Sequence, residues 1–198
     1  AFLHACKDLQ TIEHRNGWLR VGAGVTIAAL RTAVATSHPA LAELFRRFAS
    51  EQVRGAATIG GNIANGSPIG DGPPAFIALG AELTLRSRDG RRTMALEDYF
   101  LDYGKQDRRP WEFVESLWIP RPDSQAIIHI AKLSRRFDSD ISAVCGAFHL
   151  AVADGIVHHP AEIPCRAIEP VVDHLRDLFT PRERAVEHIV INAVFGEQ

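Results

Sequence analysis

The residues best suited to chemistry in this chain lie in one glycine-rich stretch, Phe48 to Gly80. Within it, Thr58 to Asn62 offers consecutive backbone N–H donors together with a hydroxyl and a carboxamide. Glycine allows the backbone to turn and to approach a ligand closely, and successive N–H groups that point into one concave space form an anion-binding nest. These groups suit the several acceptor oxygens of a pyrophosphate. The pattern therefore predicts a phosphate-binding loop.

Two common phosphate-binding motifs do not match this stretch. A P-loop ends in Lys followed by Ser or Thr, whereas Gly61 is followed by Asn62. A Rossmann fingerprint needs a strand directly before its glycines and a helix directly after them, and the segment lacks that frame. The alternative is a glycine-rich connection without a ligand, because lone glycine patterns have low specificity. Its length and polar content favour a functional loop.

Two charged residues outside the glycine run could also contact a ligand. Asp71 could accept hydrogen bonds from the hydroxyls of a sugar or polyol, and its alternative role is a turn or N-cap residue before a helix at Pro73. Lys132 lies in an apolar strand, where a lysine is costly unless its amine finds a partner or reaches solvent. Its alternative role is a solvated strand end with local ion pairs.

Metal and hydrolase chemistry have weaker support. His158 and His159 are adjacent, and neighbouring residues of a strand point to opposite faces, so both cannot easily bind one ion. The three cysteines are widely spaced, which argues against a disulfide framework, a zinc ribbon or an iron–sulfur cluster in this chain. The serine, histidine and aspartate of a hydrolase are present, but the chain has no Gly-x-Ser-x-Gly elbow.

The elements that must position these residues follow from hydrophobic periodicity and turn residues. Helices are expected after Thr26, after Pro39 and from Pro73 to a stop at Gly80, with a helical turn near residues 96–100. Strands are expected at residues 18–22, 82–87, 91–94, 113–119, 127–134, 140–153 and 156–157, with hairpin turns at Asp89-Gly90 and Asp154-Gly155. Two C-terminal helices are expected, at residues 171–179 and 181–194, with a capping box at residues 180–183.

Composition limits the partners. The formal net charge is -2, without a basic run or an acidic tail, so nucleic acid and anionic membranes are not expected to bind. No apolar segment approaches the roughly 20 residues of a membrane span, and the start does not resemble a signal peptide. A cytoplasmic protein is therefore expected. The chain begins with Ala1 rather than Met, which suggests a piece of something longer.

Three segments carry a resemblance to a known family: RGAATIGGNIANGSPIGDGPPAFIALGAELTL, DYGKQDRRPWEFVESLWIP and KLSRRFDSDISAVCGAFHL. They resemble the FAD-binding domain of molybdenum-containing xanthine dehydrogenases, particularly the bacterial small subunit, over about Trp18 to His158. The joint motif TIGGNIANGSPIGD is highly specific. The resemblance implies an α+β, PCMH-type FAD-binding fold, with a glycine-rich loop and helices packed on a mixed or antiparallel sheet and a helical C-terminal tail.

The resemblance also implies the residues that contact FAD. Thr58, Ile59, Gly60, Gly61 and Asn62 would form the second of two loops around the pyrophosphate. The other residues that it places at the cofactor are Phe48 near the flavin or ribityl chain, Asp71 as an acidic contact, Val114 as a packing residue, and Lys132. On periodicity alone Phe48 would be a core residue. Arg136 to Asp140 would lie near the isoalloxazine face where nicotinamide docks.

The activity implied is that of the flavin module of xanthine dehydrogenase. In such enzymes purine is hydroxylated at a molybdenum cofactor on another subunit or domain, and electrons pass through two [2Fe–2S] clusters to FAD and then to NAD⁺. A molybdenum-cofactor-binding subunit and an iron–sulfur domain are therefore expected partners in a hetero-oligomer. The three cysteines of this chain are too few to hold those clusters.

Two departures from the family pattern divide the chain. The first glycine-rich loop, of the form Gly-Gly-Thr-Asp, has no counterpart, and residues 161–198 match the family poorly. We therefore expect an FAD-binding domain over residues 1–120 that lacks this first loop, the start of a C-terminal subdomain over 121–160, and a divergent helical tail over 161–198. Three functions stay open: a working flavin module, a truncated fragment that binds FAD weakly or not at all, and a nucleotide- or phosphate-binding protein that reuses the scaffold.

Overall fold

The structure, a computed structural model, describes residues 5–102, 104–124, 126–153, 156–158 and 189–193. A short 3₁₀ helix at Lys7–Leu9 precedes the regular elements. The α-helices are α1 Ile27–Ala33, α2 Pro39–Arg46, α3 Glu51–Ala56, α4 Ile59–Ala64, α5 Gly72–Ala78 and α6 Leu96–Tyr99. The strands are β1 Ile12–Arg15, β2 Trp18–Gly22, β3 Glu82–Arg86, β4 Arg91–Ala95, β5 Phe100–Asp102, β6 Lys105–Gln106, β7 Phe113–Pro120, β8 Ala126–Leu133, β9 Val144–Ala153, β10 Ile156–His158 and β11 Ile189–Ala193.

A five-stranded antiparallel sheet in the order β1-β2-β7-β3-β4 carries the helices on one face. Successive residues of a strand point to opposite faces, and the apolar residues of these strands fall on the covered face. Those that are essentially inaccessible to solvent are Leu19, Val21, Leu83, Leu85, Leu117 and Ile119. The opposite face is polar, where Glu115 binds Arg86 and Arg91. The alternation that predicted the strands thus also fixed the buried face.

A second antiparallel sheet is built on β9, which pairs with β8, β10 and β11. It packs against the helices from another side, with α2 next to β8 and α5 next to β9. The predicted strand at residues 140–153 begins at Val144, four residues later than expected. The helical layer, which includes the glycine-rich stretch, therefore contacts both sheets.

Local turn chemistry was predicted well. Thr26 caps α1 by accepting a hydrogen bond from the Ala29 amide at 3.2 Å. Gly80 follows α5 with a φ of 71°, as a glycine stop requires. Gly90 lies in the turn between β3 and β4 with a φ of 151°. In each case the signal and its consequence lie within a few residues, so neighbouring elements do not change the outcome.

The glycine-rich stretch differs from the expected loop before Pro73, whereas the helix predicted from Pro73 is present as α5. The stretch forms three short helices, α3, α4 and α5, joined by brief connections. Pro73 and Pro74 lie in the first turn of α5, where a missing N–H costs nothing. Helix propensity alone disfavours α4, because glycine costs about 1 kcal/mol in a helix, and packing against β2 and β7 overrides it. The overall α+β class is as predicted.

The prediction of a helical C-terminal tail is wrong for residues 189–193. These residues form β11, which pairs with β9 from Ile189 opposite Phe148 to Ala193 opposite Val144. The apolar and β-branched residues that suggested a helical face suit a strand equally well. The remainder of the predicted helix pair lies outside the described residues, as do the Asp154-Gly155 turn and His159.

Candidate functional site

The segment from Thr58 to Asn62 opens helix α4. Thr58 is the N-cap, and its hydroxyl oxygen accepts a hydrogen bond from the Gly61 amide at 3.2 Å. The Ile59 and Gly60 amides donate to the Val25 and Ala23 carbonyls, both at 2.9 Å. The predicted row of free N–H donors is therefore largely used inside the protein, where it joins α4 to the segment after β2.

Two glycines of the stretch are explained by close packing. A Cβ on Gly60 would lie 2.5 Å from the Cβ of Ala23 and 2.9 Å from its carbonyl oxygen. A Cβ on Gly72 would lie 2.2 Å from Oδ1 of Asn62. Gly61 differs, because a Cβ there would approach only the Thr58 hydroxyl, at 3.1 Å, and the residue is exposed. Gly61 is thus the position of α4 at which the backbone itself faces open space.

Asn62 presents an unusual polar group. Its Oδ1 is buried and has no hydrogen-bond partner among the described residues. An unsatisfied buried polar atom costs about 1–3 kcal/mol, and an uncompensated one in a native fold calls for an explanation such as a ligand. The carboxamide lies beside Gly72, directly after Asp71. The acceptor capacity of Asn62 Oδ1 is therefore unused among the described residues.

Phe48 follows α2 and is half-buried against the core. Its ring meets that of Phe45 edge to face, with centroids 6.4 Å apart. Arg54 donates hydrogen bonds of 2.7 Å to the backbone carbonyls of both Phe48 and Ala49, and Ala49 has a φ of 43°. Because a positive φ strains a non-glycine residue, the arginine stabilises this turn. The Phe48 ring is held in place while part of it remains exposed.

Asp71 and Lys132, predicted separately, contact each other. Lys132 Nζ lies 2.5 Å from Asp71 Oδ2, and the two side chains are only 4% and 6% exposed. The other carboxylate oxygen, Oδ1, accepts a hydrogen bond from the hydroxyl of Ser142, which is also buried. Asp71 occupies the N-cap position of α5, yet its side chain makes no capping hydrogen bond. Asp71 thus has the N-cap position of its alternative role without a capping hydrogen bond, whereas the solvated strand end predicted as the alternative for Lys132 is wrong, because that side chain is buried.

The Lys132 ammonium has unused capacity. An ammonium group carries three N–H donors, and Asp71 is the single acceptor that the described residues provide for it. A buried charge normally has its hydrogen-bonding groups satisfied, because desolvation is costly. The backbone of Lys132 is fixed independently, since Arg47 donates to its carbonyl oxygen at 2.5 Å. The geometry leaves a buried cation that can bind an additional acceptor.

Cys145 also contacts this cluster through the backbone of Asp71. Its thiol donates to the Asp71 carbonyl oxygen at 3.9 Å. Burial, together with the neighbouring Asp71 carboxylate, raises the pKa of the Cys145 thiol to about 12. The thiol therefore stays protonated and can act as a donor, but it is not a nucleophile at neutral pH.

Val114 lies within the core. It is 4% exposed on β7, opposite Leu85 of β3, and belongs to the same apolar cluster as Ile59 and Ile63 of α4. Its neighbour Glu115 accepts a backbone hydrogen bond from Ala23 at 2.9 Å, in the segment that holds Gly60. The structure therefore connects Val114 to the base of α4 through packing, and any contact with a cofactor stays a prediction.

Sequence reasoning did not find Ser142, Cys145 and Arg47 as members of the site. Ser142 and Cys145 lie 71 and 74 residues from Asp71, and Arg47 lies 85 residues from Lys132. The sequence contains each residue but no spacing that links them. The sequence offered one signal, a charged lysine at position 132 in an apolar strand. This signal indicates that Lys132 has a partner, but it does not indicate which residue the partner is.

The other features of the described structure do not compete with this site. A cavity of about 530 Å³ lies between the start of α2 and residues 121–124, and it contains none of the nine predicted site residues. Within the described ranges, no cluster of three or more His, Cys, Asp or Glu side chains is arranged to hold a metal ion. Among the same residues, none of the helices combines the length and hydrophobicity that a membrane span requires.

Comparison with known proteins gives one family match. The family model described as "FAD binding domain in molybdopterin dehydrogenase" matches residues 2–122. Curated relatives include xanthine dehydrogenase of Dictyostelium discoideum, 41% identical over 108 residues, or 52% of this chain and 8% of that protein. Xanthine dehydrogenase/oxidase of Rattus norvegicus is 38% identical over 116 residues, or 58% of this chain and 9% of that protein. The chain thus spans less than a tenth of these relatives' length.

The fold of this chain is also similar to the folds of solved oxidoreductase structures. The Cu,Mo-CO dehydrogenase in its cyanide-inactivated form matches with a TM-score of 0.71 at 30% identity, covering 76% of this chain and 53% of that one. Quinoline 2-oxidoreductase from Pseudomonas putida 86 matches with a TM-score of 0.69 at 27% identity, over 76% of this chain and 53% of that one. These structures share the α+β architecture described above.

Proposed function

Because the chain belongs to the family of FAD-binding domains of molybdopterin dehydrogenases, we propose that it is the flavin module of a xanthine dehydrogenase. In this role it binds FAD and passes electrons from iron–sulfur clusters to NAD⁺ during oxidation of a purine such as hypoxanthine or xanthine. FAD is the cofactor of the family, and when bound it supplies the redox chemistry while the protein supplies binding and orientation.

The observation that carries the proposal is the buried Lys132 ammonium, which has N–H donors that no acceptor among the described residues uses. Its partner Asp71 is also buried, and the unpartnered Asn62 Oδ1 lies beside Gly72, the residue after Asp71. The Lys132 ammonium is a donor that fits phosphate, carbonyl or hydroxyl oxygens, whereas the Asn62 oxygen is an acceptor that fits a hydroxyl donor. FAD has all three, so the residues present fit the cofactor.

Each predicted residue has a distinct part in this proposal. Lys132 would donate to an FAD acceptor, with Asp71 holding its charge in place, and Asn62 would form a hydrogen bond with the cofactor. Phe48 would cover an apolar part of it. The start of α4 would contribute mainly the Thr58 hydroxyl and a close approach of the cofactor at Gly61. The amides of Ile59 and Gly60 would not contribute, because they already donate hydrogen bonds to backbone carbonyls inside the protein. Val114 would support α4 through the apolar cluster that it shares with Ile59 and Ile63.

The assembly is proposed on the same basis. The FAD-binding domain would cover residues 1–120 and the C-terminal subdomain would start within 121–160. The molybdenum cofactor and the [2Fe–2S] clusters would be on other domains or subunits, with which this chain would form a hetero-oligomer in the cytoplasm. The curated relatives include several xanthine dehydrogenases and a nicotinate hydroxylase of Emericella nidulans, and the larger number of xanthine dehydrogenases favours purine as the substrate.

One observation favours a second candidate, a fragment that binds FAD weakly or not at all. The amides of Ile59, Gly60 and Asn62 all donate to backbone carbonyls inside the protein at 2.9 Å. Few main-chain donors at α4 then remain for a pyrophosphate. Side-chain contacts from Lys132 and Asn62 alone would give much lower affinity than a complete cradle, so measured affinity separates the two candidates.

The test is FAD binding by the purified 198-residue chain. A yellow protein with near-stoichiometric flavin, or tight binding on titration with FAD, supports the module; a folded, colourless protein that takes up no FAD supports the fragment. Gly61→Val should weaken binding at least about ten-fold, because it blocks close approach to α4. Gly55→Val, at an open helical glycine in α3, is the matched control. NADH oxidation with an artificial electron acceptor tests the NAD⁺ step.

A further inference from the structure

The Asp71 carboxylate is shared between two donors, one on each oxygen. Lys132 Nζ occupies Oδ2 and the Ser142 hydroxyl occupies Oδ1. All three residues are buried, so water cannot readily replace either donor. With the hydroxyl in place, the ammonium has access to one oxygen and keeps a single position at the carboxylate. Without the hydroxyl, both oxygens would compete for the ammonium.

The backbone places Ser142 at this point with little freedom. Strands β8 and β9 pair with Lys132 opposite Cys145 and Leu133 opposite Val144. The Ala143 amide then donates to the Leu133 carbonyl at 2.8 Å, so the connection closes directly beside Ser142. The hydroxyl and the ammonium thus reach Asp71 from the same end of the strand pair, and the thiol of Cys145 holds the Asp71 backbone.

We propose that Ser142 is a positioning residue of the flavin site, which holds the Asp71 carboxylate so that the Lys132 ammonium keeps its remaining donors for FAD. This inference rests on the proposed function of the chain. Ser142 itself makes no contact with the cofactor in this role. It acts by satisfying Oδ1, which prevents the lysine from bridging both carboxylate oxygens and turning its donors away from the ligand.

The test compares Ser142→Thr with Ser142→Val in the full chain. The two side chains have nearly the same shape, and only threonine keeps the hydroxyl, so any cost of the extra methyl group is shared. The dissociation constant of FAD, measured by quenching of flavin fluorescence, should be about ten-fold to a hundred-fold higher for the valine variant, as expected for loss of a hydrogen bond to a charged group. The threonine variant should stay close to wild type.

Two controls separate positioning from general stability. The same Thr and Val pair at Ser116, which is 1% exposed on β7 and outside the site, should give equal FAD affinities. In an Asp71→Ala background, which removes both acceptor oxygens, the Ser142 hydroxyl should no longer matter, so the ratio between the Thr and Val variants should fall toward one. A merely structural role of Ser142 would keep the ratio in that background.

The outcomes are distinct. Equal FAD affinity of the Thr and Val variants at position 142, in a wild-type chain that binds FAD, overturns the role of Ser142 and leaves the proposed function standing. A ratio that persists in the Asp71→Ala background also overturns it, because the hydroxyl would then act by another route. A wild-type chain that folds and takes up no FAD overturns the proposed function and this inference with it.

Discussion

Replacing Lys132 with methionine should strongly destabilise the fold. The change leaves the Asp71 carboxylate buried, with the Ser142 hydroxyl as its remaining side-chain donor. The two charged side chains are 4% and 6% exposed and 2.5 Å apart, so solvent screening is slight. Removing one partner of a buried ion pair costs about 3–5 kcal/mol because the other charge loses its compensation. That is a large part of the roughly 5–15 kcal/mol that stabilises an ordinary domain.

The free energy of unfolding, measured by urea titration, is the assay. The matched control is Arg15→Met, which removes an ion pair with Glu13 at the similar distance of 2.7 Å but with the arginine side chain 62% exposed. Exposed pairs contribute less than about 1 kcal/mol, so this variant should stay close to wild type. Equal losses in the two variants would refute the burial argument. The neutral double variant Asp71→Asn, Lys132→Met should be more stable than Lys132→Met alone.

Three further changes test other parts of the structure. Hydrogen bonds from Arg92 lower the pKa of Glu112 from 4.5 to about 2, so its contribution to stability is present above pH 4.5 and is lost as the pH falls towards 2. In Glu112→Gln, the free energy of unfolding from urea titration should therefore depend less on pH between these two values. Trp111 is 92% exposed at a φ of 68°, so Trp111→Gly should raise stability by about 1 kcal/mol. Gly60→Ala should cost about 1–3 kcal/mol by overpacking, whereas Gly55→Ala should gain about 0.4–1 kcal/mol.

Each of these has a clear contrary result. An unchanged pH dependence in the Glu112 variant would mean that its ion pair with Arg92 does not persist in solution. A less stable Trp111 variant would show that the indole makes stabilising contacts. Equal effects of alanine at positions 60 and 55 would contradict the close contact, 2.5 Å from the Cβ of Ala23, that an added Cβ makes at position 60 and does not make at position 55. Thermal denaturation of both variants measures the difference in stability.

Much of the fold followed from local patterns. Alternating apolar residues gave β2 and β3, a threonine cap gave the start of α1, and turn glycines ended α5 and joined β3 to β4. These features depend on contacts between residues close in sequence. The glycine-rich stretch broke the pattern because α4, which helix propensity disfavours, packs against β2 and β7, which lie elsewhere in the chain. The prediction of a helix at residues 189–193 was wrong for the same reason, since pairing with β9 decides their conformation.

The sequence by itself determined the candidate ligand and the residue types at the site. The motif from Thr58 to Asp71 gave the family resemblance, and the apolar surroundings of Lys132 required a partner. Only the tertiary structure decided that this partner is Asp71, that Ser142 completes the cluster, and that the amides of Ile59 and Gly60 are spent inside the protein. Lys132 and Ser142 lie 61 and 71 residues from Asp71. Contacts over such separations depend on how the two sheets pack around the helices, which no local spacing encodes.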